Sequence, residues 1–299
     1  MTQKANVPKS TTGISSKQVG MALLCVFGFV LFALFMAPFF VVIYSSAKTS
    51  AEISLDPFAL PSDWGQLWIN IKGVYNNPNF EYFASFRDSV VITAVSLIVI
   101  VIASAMAAWI LVRNKTKWST ALFMVFVASM VIPFQVVMLP LVQWLRILGN
   151  AIGLQLTGTY KGIVLCYLGF GAPLSIFIFH GFIKSIPYEL EEAGDIDGCT
   201  RPGIFFKIIL PLLQPTAVTV MILNGIWIWN DYLLPLLVLG TSGPVLTLPL
   251  AVSKFVGAFV KKWDLIMTSA LLAMLPIVVL FLFAQRYIIK GMVEGAVKG

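Results

Sequence analysis

The sequence predicts an all-α membrane protein whose chain crosses the bilayer six times. Three observations carry that expectation. Charged residues make up only 11% of the 299 and hydrophobic ones 59%, whereas a soluble domain is nearer a quarter charged. The mean hydropathy is +0.92. Apolar runs also reach the roughly 20 residues that a helix needs to cross the hydrocarbon layer. The length suits one membrane domain with no separate soluble domain of ordinary size.

Residues 1–18 read as a polar tail, and 19–290 as the membrane domain. Lys4, Lys9 and Lys17 precede the first span, 19–44. That run is too long for the core of a secretion signal and ends without a small-residue cleavage pattern, so it is retained. Residues 45–85 are polar and turn-rich, with Pro57, Pro61 and Pro78. Trp64, Trp68, Tyr75, Tyr82 and Phe83 are interleaved there, as in a loop lying on the membrane surface. The second span, Asp88 to Leu111, ends at a basic turn, 113–117. The third is 118–142, with Pro133 and Pro140 in or near it, where a kink is expected. The fourth is 161–184, the fifth 204–236 and the sixth 264–288, and 291–299 is a tail.

The formal net charge of +7 forms no patch for nucleic acid; the basic residues cluster at the ends of apolar runs. The positive-inside rule then places both termini and the 113–117 turn in the cytoplasm. Arg286, Lys290 and Lys298 agree, while Lys254, Lys261 and Lys262 fall outside. Cys25, Cys166 and Cys199 are too scattered for a metal site and read as small hydrophobes. The lone His180 is five residues from Ser175, off its helical face, which argues against a nucleophile–base pair.

One stretch departs from this pattern, from Ile186 to Gly198: a dense acidic run between apolar segments. Pro187 suits a first helical turn, and Glu189, Glu191 and Glu192 lie near the positive end of the helix dipole. Ile186, Leu190 and Ala193 share one face; Glu189, Glu192 and Ile196 share another. Glu191 and Asp195 are like charges at i,i+4. Gly198 supplies a left-handed turn, and Thr200 with Pro202 opens a new helix. By themselves these residues fit a docking element and a solvated loop helix equally well.

The run Glu192-Ala193-Gly194, then Asp197-Gly198, then Leu210-Pro211, resembles the EAA signature of permease subunits of ABC importers. Further motifs resemble the carbohydrate branch of that family, the maltose-type (MalG-like) permeases. These are Pro133-Phe134-Gln135, Trp229-Asn230-Asp231-Tyr232 with Pro235-Leu236, and Gln285-Arg286-Tyr287 with the closing Gly295-Ala296-Val297-Lys298-Gly299. Gly194 stands in place of the signature's second alanine, Cys199 replaces the alanine usual after Asp-Gly, and Asp88-Ser89 stands where Asn-Ser is common.

The resemblance implies the type I ABC importer permease fold, with residues 186–200 as a cytoplasmic coupling helix seated on an ATPase subunit. It assigns that contact to Glu189, Glu191, Glu192, Ala193, Gly194, Asp195, Asp197, Gly198, Leu210 and Pro211. It implies a second permease, two ATPase subunits, an extracytoplasmic solute-binding protein and a carbohydrate substrate, expected to be an oligosaccharide, in a bacterial or archaeal inner membrane. The chain has no Gly-x-x-x-x-Gly-Lys-Ser/Thr loop, so ATP and magnesium are expected on the partner ATPase and not on this subunit.

Candidate cavity residues are Gln135, Asn224, Trp227, Asn230, Asp231 and Tyr232. A carboxylate at mid-bilayer is costly and should face a cavity or partner, whereas one at the interface is a helix-end residue; the aromatics fit sugar stacking or an interfacial belt equally. Phe255, Lys261 and Lys262 are candidates for the binding-protein contact, against a plain re-entrant connector. Gly295, Val297 and Lys298 are candidates for an ATPase-facing tail. Two other functions stay open: a permease for a non-sugar solute such as a polyamine, and an ion-driven secondary transporter. The second should show intramembrane carboxylates or repeated halves, and neither is evident.

Overall fold

The computed structural model of the chain describes residues 16–77, 80–255 and 262–296. It is helical throughout, as the composition predicts, with no strand among the described residues. Helix α1 (Ser16–Ser45) is apolar all round, and nearly all of its side chains are exposed. Such a helix belongs in lipid or against another protein. Its end is tied down by polar contacts: Asn70 Nδ2 donates to the carbonyls of Ser46 (2.9 Å) and Lys48 (2.8 Å). The buried Lys48 ammonium donates to Asp56 O and Pro57 O.

The predicted surface loop contains two short helices, α2 (Ser50–Leu55) and α3 (Gln66–Tyr75). Thr49 and Glu52 form a reciprocal capping box on α2, which satisfies two of its orphan N–H groups. Helix α4 (Tyr82–Arg113) has 32 residues and extends past the expected span at both ends. Neither proline nor glycine interrupts it.

The third span differs from its expected form. Instead of one rod over 118–142 the chain forms α5 (Lys117–Ser129), a turn, and α6 (Phe134–Ile152). Pro133 disfavours helical backbone at Ile132 and itself sits extended just before α6. At 13 residues, α5 is about 20 Å long, short of the roughly 30 Å hydrocarbon layer. Gly153 closes α6 with φ 68°.

Helix α7 (Tyr160–Ile183) is followed by α8 (Glu189–Ile196). The fifth span is broken as well. It comprises α9 (Arg201–Ile204), a π-helical turn (Phe205–Ile209), α10 (Leu210–Leu212) and α11 (Gln214–Asn230). The two halves meet at 76°. Pro211 and Pro215 withdraw N–H groups on either side of that bend. Asp231 is extended and separates α11 from α12 (Leu233–Val238), so the span ends before the expected residue 236. A connector with α13 (Leu248–Val252) and a 3-10 turn (Ser253–Phe255) leads to α14 (Trp263–Ala296).

Among the described residues, α1, α4, α6 and α7 are each long and apolar enough to cross a membrane, and the bent pair makes a fifth crossing if taken as one span. Helix α14 is longer still at 34 residues. The main core lies where α4 packs on α7 and α11. Small buried residues, Ser96, Ser104, Ala105 and Ala108, bring α4 close to its neighbours. A methyl on Gly171 of α7 would stand 2.7 Å from Ile100 Cδ1. A second cluster, with Val74, Phe80, Phe255 and Leu265, lies at the bundle end away from α8.

Candidate functional site

Helix α8 is built by its two ends. Tyr188 stands at the N-cap, and three acidic residues fill the first turn, where the dipole favours them. At the other end Gly198 has φ 78°. Its N–H donates to Asp195 O (3.1 Å), and that of Cys199 donates to Gly194 O (2.9 Å). This is the Schellman closure expected of a C-terminal glycine. Thr200 then caps α9, its hydroxyl accepting from Gly203 N. The chain therefore makes a sharp corner and re-enters the bundle.

The two faces of α8 have different partners. Glu191 is turned inward and is fully buried. Its Oε1 accepts from Arg113 Nε at 2.7 Å and its Oε2 from Trp109 Nε1 at 3.1 Å. Arg113 Nη2 also donates to Ile186 O at 3.0 Å. Gly194, on the same face, lies against the start of the fifth span, where an added Cβ would meet Ile208 Cδ1 at 2.7 Å. Both residues were expected to contact an ATPase. The structure instead gives them to the subunit's own α4 and π-helical turn, where Arg113 neutralises Glu191 and Trp109 satisfies its second oxygen. Glu189, Glu192, Ala193 and Asp197 face outward, and Ile196 is 86% exposed. Asp195 pairs with Arg201 at 3.5 Å on the surface, a contact of small energetic weight. Leu210 and Pro211 lie at the bend of the fifth span, with Leu210 packed on the core.

Of the expected cavity residues, Trp227 and Asp231 both contact Tyr167. Asn224 is buried and binds Ser175 Oγ (3.1 Å) and Val220 O (2.9 Å), so it cross-links α11 to α7. Asp231 Oδ1 accepts from the amides of Leu233 (3.1 Å) and Leu234 (3.4 Å), and Oδ2 from Tyr167 OH at 3.2 Å. It caps α12, and this accounts for a carboxylate within an apolar run. Trp227 meets the Tyr167 ring edge-on at 5.4 Å. Gln135, Asn230 and Tyr232 are exposed. Cavities of about 650 and 590 Å³ open at the α8 end and the opposite end of the bundle, and neither is lined by these six residues.

Phe255 is also reassigned. It is only 6% exposed and packs on Phe80 with ring centroids 4.7 Å apart, so it anchors the connector and does not form an exposed tip. Lys262 is exposed. Lys261, Val297 and Lys298 lie outside the described residues, and Gly295 falls in the last turn of α14.

Two sets of contacts were not assigned from the sequence. Asp88 is buried and accepts from Tyr160 OH at 2.6 Å and from Leu246 N at 3.1 Å. Ser89 Oγ accepts from Leu248 N at 2.8 Å. A carboxylate within an apolar run is a usable signal for the first. The Arg113–Glu191 pair spans 78 residues, and nothing local announces it.

A bundle of membrane-length helices with a short acidic helix at one end defines the class: a multi-pass helical membrane protein. Residues 99–294 match the family described as the binding-protein-dependent transport system inner membrane component. Curated relatives span nearly the whole chain. The probable starch degradation products transport system permease protein AmyC of Thermoanaerobacterium thermosulfurigenes is 40% identical, over 92% of this chain and 96% of its own. The arabinooligosaccharides transport system permease protein AraQ of Halalkalibacterium halodurans is 34% identical over 88% and 91%. The multiple sugar-binding transport system permease protein MsmG of Streptococcus mutans is 31% identical over 89% and 92%. The crystal structure of a bacterial ABC transporter involved in the import of the acidic polysaccharide alginate has a chain with the same fold, at TM-score 0.76 and 17% identity, over 93% of this chain and 99% of that one. The chain belongs to the binding-protein-dependent transport system inner membrane component family. It is a multi-pass membrane permease subunit and not an enzyme.

Proposed function

We propose that this subunit forms part of an ATP-driven importer of an oligosaccharide and that α8 couples it to the motor. The observation that carries the proposal is the outward face of α8. Acidic Glu189 and Glu192 flank Ala193 and the exposed Ile196 on a helix whose other face is fastened to the membrane domain. Carboxylates make charge-assisted contacts with basic groups, and an exposed aliphatic residue beside them fits a pocket on a partner. The α8 end is then cytoplasmic, with both chain termini on that side. Two ATPase subunits bind ATP and magnesium there, and an extracytoplasmic solute-binding protein engages the opposite end. The exposed flank of α1 fits a second permease as well as lipid. ATP shifts the equilibrium between inward- and outward-open states by its differential affinity for the two.

Carbohydrate is favoured over a polyamine or another small solute because AmyC, AraQ and MsmG are all named for sugars. The test is purification from the native membrane in mild detergent, with identification of co-purifying subunits and their ATPase activity. An ATPase pair and a second permease are expected with the wild-type chain and should be lost with Glu192→Lys. A lone chain, under conditions that keep a control importer intact, would point to a secondary transporter. Binding of maltooligosaccharides against spermidine by the co-purified binding protein then separates sugar from polyamine.

A further inference from the structure

Helix α4 is held at both ends by buried polar contacts and has no flexible point between them. At the α8 end its last residue, Arg113, bonds Glu191 and Ile186 O, and Trp109 donates to the same carboxylate. These bonds bridge the turn between α7 and α8. At the opposite end Asp88 and Ser89 accept the amides of Leu246 and Leu248 from the connector between the fifth and sixth spans. Tyr160 OH holds the same Asp88 carboxylate. The Arg87 guanidinium adds a contact from its exposed position. The 25 positions from Asp88 to Arg113 extend about 37 Å at 1.5 Å per residue, most of the length of the 32-residue α4.

Helices bend mainly at proline, at glycine and at π-turns. Among the described membrane-length helices, α4 alone contains neither proline nor glycine. Pro38 interrupts α1, Pro140 interrupts α6 and Pro173 interrupts α7; the fifth span has its π-turn and Pro276 lies in α14. Although α7 is continuous in sequence with α8, it connects through the non-helical residues 184–188. Besides packing on the broken fifth span at Gly194, α8 is tied through Arg113 to the uninterrupted α4.

We propose that Arg113, Glu191, Asp88 and Ser89 are positioning residues that make α4 a strut, so that a displacement of α8 reaches the 246–248 connector at the other end of the bundle without loss. Coupling over such distances is carried by rigid elements and packed contacts whose equilibrium both sites bias. The proposal rests on the reading of α8 as the ATPase-docking helix. It adds which helix takes up the motion and where that motion is delivered.

The test uses the assembled transporter with spin labels at Ser185, at the foot of α8, and Ser242, both exposed, in a background lacking the three native cysteines. ADP–vanadate is the probe that traps the closed ATPase. In the wild-type sequence the label-to-label distance should hold within about 2 Å on trapping, the scale of shifts between packed helices. With Glu191→Gln or Asp88→Asn, trapping should persist while the distance shifts and its distribution broadens. Trp109→Phe and Ser89→Ala each delete a single hydrogen bond. They should broaden it in the same direction, and they serve if the first pair fails to assemble. Unchanged distributions in the variants that assemble, or a wild-type distance that moves as much as theirs, would overturn the strut. Absence of ATPase subunits or of trapping in the wild-type preparation would instead count against the docking reading.

Discussion

Substitution of Gly198 isolates a backbone effect. The residue has φ 78°, and a Cβ built on it meets nothing within 4 Å. Alanine there is opposed by no neighbouring side chain; only the left-handed conformation resists it, at about 1–2 kcal/mol for an ordinary L-residue. That cost falls on the closure formed by the amides of Gly198 and Cys199. One or two kcal/mol corresponds to a factor of about 5 to 30 in an equilibrium constant. The Cys199 amide of Gly198→Ala should therefore exchange with solvent about 5 to 30 times faster than in the wild type. Asparagine tolerates this conformation and should fall between glycine and alanine, while β-branched valine should be worst. The measurement is hydrogen exchange on peptides covering 194–204, with uptake into proteoliposomes as the functional readout. If valine and asparagine exchange alike, or if alanine matches glycine, positive φ is not what constrains this corner and the argument fails.

Gly194→Ala should behave differently. The new methyl meets the flexible tip of Ile208 at 2.7 Å, which can swing aside, and alanine gains about 1 kcal/mol of helix propensity over glycine. Thermal stability should stay within about 1 kcal/mol of wild type, whereas Gly194→Leu should detach α8 and abolish uptake. Phe255→Ala should cost about 3–5 kcal/mol, as for truncation of a buried aromatic, and lower the unfolding temperature; a lowered binding-protein affinity with unchanged stability would restore the docking role first expected of it. Glu52 accepts hydrogen bonds from the Ser62 hydroxyl and from the Thr49 amide and hydroxyl, which pull its pKa from 4.5 down to about 2. A carboxylate depressed on folding stabilises above its unfolded pKa and loses that contribution as pH falls through its folded value. Pepsin cleavage of the 50–62 segment, normalised to a model peptide, should thus rise from pH 4.5 towards 2, and Glu52→Gln should be cleaved readily across that range with little further change.

The expectations that held rest on signals within a few residues of one another. Gly198 after an acidic helix predicts a left-handed corner, and Thr200-Pro202 predicts a fresh helix start. Long apolar runs predict α1 and α7 to within a turn and α4 to within two. The expectations that failed each required knowledge of a distant partner. Glu191 and Glu192 are adjacent acids, yet one is buried against Arg113 and the other is exposed. Phe255 sits in a connector that looks solvent-facing until Phe80 is placed beside it. Asp231, weighed as either a cavity carboxylate or a helix-end residue, accepts the nearby amides of Leu233 and Leu234 where the chain breaks.

By itself the sequence determined the membrane class, the helical content, the family and the corner at Gly198, because hydrophobic run length, proline, glycine and caps act over a single turn or a single span. The tertiary structure alone decided which face of α8 belongs to the subunit and which faces outward, and that α4 is fastened at both ends. Those outcomes depend on which donors stand within about 3 Å of a buried acceptor. That proximity is set by packing between segments tens of residues apart, and no local pattern encodes it.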